Sequence, residues 1–152
     1  MLCEAIPAGC FDVVMVGFNF LNPGARDRVF PLCIEHGVGT QIMHAVRNAL
    51  SDPGVLAGTI EELLERKEID AALVDPDAPL NFLEQHPDVG SVIEAAYRFC
   101  RHEPGVSVVL TGTGSVEHLD ANVGAIMGAE LPQDLREKLE LLFGAVRSVS
   151  GD

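Results

Sequence analysis

The chain has 152 residues, the length of one domain, and hydrophobic residues make up 47% of it, which excludes disorder along its whole length. Its 23 acidic and 10 basic residues give a net charge of −13, which disfavours a nucleic-acid backbone or an anionic membrane surface as partner. No apolar run reaches the roughly eighteen residues of a membrane span. Leu2–Ala8 is too short for a signal peptide, has no preceding basic residues and is interrupted by Glu4 and Pro7. The cysteines, at 3, 10, 33 and 100, form neither a C-x-x-C pair nor a zinc spacing. They read as reduced thiols, and the expected location is the cytoplasm.

In chain order, Leu2, Ala5 and Ile6 read as the end of a helix stopped by Pro7 and Gly9. Asp12–Phe18 (DVVMVGF) is nearly continuous apolar sequence, the pattern of a parallel strand buried on both faces. Asn22-Pro23-Gly24 punctuates a turn over Asn19–Gly24. Ala25–His36 is a helix with Val29, Leu32 and Cys33 on one face, a kink expected at Pro31, and Gly37 as its C-cap. Val38–Met43 is a second strand, so Asp12–Met43 forms one βαβ crossover with parallel pairing. The connection from His44 to Gly90 is long. It carries a loop or single turn at His44–Leu50, a break at Asp52-Pro53, a helix over Ile60–Lys67 starting near Gly54, and one helical turn at Leu80–Leu83. Ser91 begins or caps a helix through Arg101, with Ile93, Ala96, Tyr97 and Cys100 on one side.

Val106–Leu110 is the third strand, and a glycine-rich turn, Thr111–Ser115 (TGTGS), follows it. A helix then starts at Val116, with apolar positions at Val116, Leu119, Val123, Ile126 and Met127. The last helix runs from Pro132–Gln133 to about Phe143 on a stripe of Leu135, Leu139 and Leu142, and residues 145–152 read as a polar tail. Three parallel strands make a thin sheet with two edges to protect, so a partner or a larger whole is expected to cover them.

The strand, small-residue turn and helix start around TGTGS form a candidate anion cradle. The turn is neither a phosphate loop, since no G-K-[S/T] follows, nor a G-x-G-x-x-G fingerprint. Ser115 suits an N-cap, so a plain capped turn without ligand is the competing reading. Asn122 lies two helical turns on, either solvated or aimed edge-on at a ligand lying across the helix start. His44 and Phe18-Asn19 follow the second and first strands, at the end where parallel α/β folds carry function. An aromatic at Phe18 is either core or a platform for a flat ring. His36, His86, His102 and His118 show no metal spacing, and there is no G-x-S-x-G elbow. No convincing catalytic set emerges.

The sequence resembles the C-terminal part of an aldo-keto reductase. FDVVMVGFNFLNPGARDRVFPLCIEHGVG is similar to the sixth barrel strand, its helix and the approach to the seventh strand. VGTQIMHAVRNALSDP is similar to the seventh strand and its loop, and AAYRFCRHEPGVSVVLTGTGSVEHLDANVGAI to the eighth strand with its flanking helices. The G-T-x-S-x-E-H-L-x-x-N segment is the most specific part.

The resemblance implies residues 1–152 as a partial (β/α)8 barrel, strands six to eight, from an NADP- or NAD-dependent oxidoreductase that reduces carbonyls by hydride transfer. It implies a small carbonyl substrate for the complete enzyme, and no nucleic-acid or membrane partner. The family's Asp, Tyr, Lys and His tetrad lies on earlier strands, so no catalytic residue is assigned here and the isolated chain is expected to be inactive. Cofactor contacts are implied at Phe18 (a nicotinamide-stacking position), Asn19, Leu21 and Asn22 (the pyrophosphate loop), Gly112, Thr113 and Ser115 (the adenosine-phosphate turn), His118, where many members carry arginine, and Asn122 (adenine). Thr111–Asn122 contains no Lys or Arg, which leaves NADP against NAD open. The alternatives are a catalytically inactive interaction module that associates with itself or a partner through its sheet edges, and a truncated gene product.

Overall fold

In a computed structural model, residues 1–149 are described. A short helix α1 (Leu2–Ala5) precedes strand β1 (Val13–Gly17), helix α2 (Ala25–His36) and strand β2 (Gly39–Met43). Helices α3 (Asn48–Ser51), α4 (Pro53–Glu65) and α5 (Asn81–Glu84) fill the long connection. Helix α6 (Val92–Arg101), strand β3 (Val108–Val109), helix α7 (Val116–Met127) and helix α8 (Gln133–Phe143) complete the described chain. The strands are parallel in the order β1-β2-β3, with Val13 opposite Gly39 and Ile42 opposite Val109. The sheet is open, with β1 and β3 as its edges: three parallel strands with flanking helices, part of a (β/α)8 barrel rather than a closed one.

Local chemistry sets most boundaries. Gly37 closes α2 in the left-handed conformation (φ 67°), its amide donating to the Cys33 and Ile34 carbonyls. The helix runs on through Pro31 to His36; Asp27, whose carbonyl Pro31 cannot pair, is exposed. Helix α4 starts at Pro53, next to the expected start near Gly54, because the Asp52 Oδ1 accepts from the amides of Gly54 (2.8 Å) and Val55 (3.2 Å) and Pro53 takes the first helical position. Ser91 caps α6 by accepting from the Glu94 amide at 3.1 Å.

The helices cover one face of the sheet. Val14, Val16, Ile42 and Val109 are buried beneath them. The alternate residues of β1, Val13 and Met15, are each 50% exposed. The expectation of a strand buried on both faces is therefore corrected: β1 carries apolar residues on both sides, but the described chain covers only one. The apolar stripe of α7 behaves in the same way. Val116 is 76% and Met127 78% exposed, with Leu119 and Val123 also outward, while Ala125 is the helix's buried residue. The segment read as a polar tail packs back in its described part: Val146 is buried, and the amides of Arg147 and Ser148 donate to the Glu68 carboxylate at 2.6 and 3.1 Å. These bonds hold the Glu68 carboxyl below its ordinary pKa. Residues 150–152 lie outside the described residues.

A buried carboxylate joins the layers. Glu103, just past α6, takes Arg26 of α2 in a two-pronged pair, Nε to Oε1 at 2.7 Å and Nη2 to Oε2 at 2.6 Å. Arg136 of α8 reaches the same Oε2 at 2.5 Å, and Glu140 bridges the two arginines at 3.1 and 3.2 Å. Both guanidinium carbons lie 5.3 Å from the centre of the Phe99 ring. Burial pulls the Arg26 pKa down, but the hydrogen bond and charge of Glu103, with those of Glu140, outweigh it and leave it raised. Close by, the Thr40 hydroxyl donates to the Gly105 carbonyl at 2.7 Å and accepts from the Ser107 amide at 3.0 Å, which ties β2 to the start of β3.

Glu103→Ala removes the buried carboxylate and leaves Arg26 and Arg136 to share Glu140, so a loss of about 3 kcal/mol of stability is expected. A urea melt of the variant beside the unmodified chain measures it.

Candidate functional site

The strands end at Gly17, Met43 and Val109, and the segments that follow, Phe18–Asn22, His44 and Thr111–Ser115, gather at one edge of the sheet. This is the end at which parallel β/α folds carry their sites.

The glycine-rich turn leads into α7. The Thr113 hydroxyl accepts from the Ser115 amide at 3.1 Å, and the Ser115 hydroxyl accepts from the His118 amide at 3.3 Å, so Ser115 is the N-cap expected. The amides of Val116 and Glu117 belong to the helix's first turn, which has no acceptors of its own for them. Gly112, Thr113 and His118 are exposed, Ser115 partly so. Space is open around the Cα of Gly112 and of Gly114. These glycines are therefore not demanded by crowding; they leave main chain bare for an approaching ligand.

Asn122 is tied to this turn. Its Nδ2 donates to the Thr111 hydroxyl at 2.8 Å, which lies 2.8 Å from the Tyr97 hydroxyl in turn. Tyr97 is thus a buried support for this turn. Beside Asn122, a cleft of about 370 Å³ opens between the start of α6 and α7, walled by Glu94, Ala121 and Gly124. It shares Ser91 and Ile93 with a second cleft of about 480 Å³, which runs between α3–α4 and the Pro76–Asn81 turn. That size suits a small molecule. No Lys or Arg lines either cleft, whereas Asp52, Asp77, Glu84 and Glu94 do.

The loop after β1 turns most of its side chains inward. Phe18 is fully buried, with Phe30 edge-on at 4.9 Å, Phe99 stacked at 5.7 Å and Arg26 at 5.9 Å from its ring. It continues the helix-side alternation of Val14 and Val16, so its ring face is taken and it offers no stacking surface in this conformation. Asn19 and Leu21 are equally buried. The Asn19 side chain donates to the His44 carbonyl at 2.7 Å and accepts from the Leu21 amide at 2.9 Å, so it shapes the loop. Of this group only Asn22 keeps some exposure.

His44 stands exposed at this end of the strands, a position that chain order had already put at the functional end of β2. Its φ of 57° is unusual for a residue other than glycine, and strain of this kind gathers at functional sites. The clamp from Asn19 holds it there. Spacing alone carried no sign that His44, rather than Phe18, would keep its ring free. Among the described residues no cluster of His, Cys, Asp and Glu is arranged to hold a metal.

No protein-family profile matches the sequence, and no curated protein does. Solved structures do match. The holo form of aldo-keto reductase AKR11C1 from Bacillus halodurans superposes with a TM-score of 0.61 over 98% of this chain and 49% of its own, at 21% identity. The apo form of the same enzyme gives the same score and identity, with 50% of its chain covered. The fold is that of part of a (β/α)8 barrel. The chain spans about half the length of the structures it matches.

Asn19→Ala removes both bonds of the loop clamp and leaves the Leu21 amide without its acceptor, at an expected cost of about 2 kcal/mol. Denaturant melts measure this, and hydrogen exchange at Leu21 is expected to accelerate with it.

Proposed function

We propose that this chain forms the cofactor-holding part of an NAD(P)H-dependent carbonyl reductase of the aldo-keto reductase type. The observation that carries this reading is the convergence, at the functional edge of the sheet, of a bare turn, a capped helix start and Asn122 beside two joined clefts. The donor set fits an adenosine phosphate. Gly112, Thr113 and Ser115 supply exposed main chain and the free amides of α7 point to an anion, while Oδ1 of Asn122 remains for a base edge because its Nδ2 is spent on Thr111. Asn22 and His44 stand at the ends of β1 and β2, on the side where the reacting ring would lie.

When bound, the nicotinamide supplies the hydride for a small carbonyl compound. This chain's residues hold and orient the cofactor; the acid that protonates the carbonyl oxygen belongs to strands outside the part matched here. The cytoplasm remains the proposed location, and no helix among the described residues is long and apolar enough to cross a membrane.

A second reading, an interaction module without cofactor, draws on the apolar residues left exposed on β1 and along β3 and the residue after it, Val13, Met15, Val108 and Leu110.

Calorimetric titration of the purified chain with NADPH and with NADH separates the two. Saturable binding without turnover of a small aldehyde is the expected result. Absence of binding at millimolar cofactor, with self-association in light scattering, would replace the first reading with the second.

A further inference from the structure

We propose that the uncovered face of the sheet is a dimer interface whose occupant is a second copy of this chain. The inference rests on the fold and narrows the interaction reading above to one partner; the cofactor reading stands or falls separately.

Strand register sets which side chains share that face. Val13 stands opposite Gly39, Met15 opposite Gln41 and Gly17 opposite Met43; Gln41 stands opposite Val108, and the ladder continues through the Leu110 amide. Val13, Met15, Gln41, Met43, Val108 and Leu110 therefore line one surface, on the side away from the buried Val14, Val16 and Ile42. None of them ionises, in a chain of which 22% is charged. A two-fold interface sets a patch against its own copy, so a charged patch meets its like. With a net charge of −13 two copies repel one another in general, and this face lets them meet without placing like charges in contact.

Direction and size fit as well. A two-fold axis along the strands brings β3 of each copy beside β1 of the other, parallel, so each open edge receives the opposite one. Helix α7 lies at that seam. The helix after a parallel strand packs back over that strand and the next one. Among the described residues no strand lies beyond β3, and Val116, Leu119, Val123 and Met127 of α7 stay outward. Together with Val13, Met15, Val108 and Leu110 they offer on the order of 700 Å², near the ~800 Å² that each partner of a standard interface contributes. The solved barrel takes 98% of this chain onto 49% of its own, so the rest of that barrel is about one further chain of this length.

The test is sedimentation velocity of the unmodified chain over a concentration series, at low and at raised salt, beside Met15→Asp and Leu141→Asp. Both positions are exposed, at 50% and 67%, and both substitutions add the same charge, so only its place differs. The expected species is a dimer whose affinity rises about tenfold at raised salt, as screening removes the general repulsion. Met15→Asp is expected to weaken it about a hundredfold by placing a carboxylate inside an uncharged interface, and Leu141→Asp, on α8, to leave it within about twofold. Hydrogen exchange of the unmodified chain reads the same face without a variant: protection at Val13–Gly17 and Val108–Leu110 is expected to rise with concentration. A monomer at every concentration overturns the dimer and leaves the face to a different partner, and a mass that grows past two copies overturns the closed two-fold arrangement. A dimer that Met15→Asp leaves intact, with its concentration-dependent protection elsewhere, overturns the choice of face. Nucleotide titration decides the cofactor reading independently of each of these outcomes.

Discussion

The ion pair of Glu103 with Arg26 and Arg136 is the constraint on which the rest of the molecule depends. It joins α2, the end of α6 and α8 at a single buried carboxylate, and its two cations rest over Phe99, which stacks on Phe18. Two residues downstream, Gly105 turns the chain into β3 at φ 92°. A Cβ there would stand 2.8 Å from that of Phe30, so only glycine lets the chain pass. The Thr40–Gly105–Ser107 bonds then set β3 against β2. Chain direction at the TGTGS turn, and hence the aim of α7, follows from this stack. A charged centre of this kind gives little net stability when complete, but it specifies one packing because any other leaves charges unpaired.

The same packing makes the sheet one-sided. Helices α2 and α6 claim Val14, Val16, Ile42 and Phe18, and the residues between them on β1 face outward. Apolar residues stay exposed on that uncovered face and on the outward stripe of α7, and the fold covers about half of the solved enzyme on which it superposes. Open parallel edges and apolar faces are costly in water. They explain why the cofactor and interaction readings arise from the same structure: one uses the ends of the strands, the other their uncovered side.

Electrostatics separates this site from a general anion trap. Helix start and bare turn favour negative charge, while the surrounding side chains oppose it. Arg98 illustrates the point, since a buried arginine that caps four carbonyl and carboxylate oxygens is a girder between α6 and the loop after α7 rather than a ligand group.

Much of the fold was legible in the chain itself. The bounds of α2, the αL glycine at its end, the Ser91 and Ser115 caps and the parallel order of the strands all follow from local chemistry: periodicity, capping hydroxyls and the missing Cβ of Gly37. The capped turn of the candidate site belongs to the same class. What the sequence could not decide was which apolar residues meet one another. Phe18 and His44 both follow strands and both carry flat rings. Only the tertiary structure determined that Phe18 enters an aromatic and arginine stack while Asn19 holds His44 at the surface, because the choice rests on residues up to 81 positions away in Phe99. Val13, Met15 and the α7 stripe show the complementary limit. Hydrophobic pattern states that a surface asks for cover, and only the packed chain reveals which surfaces receive it.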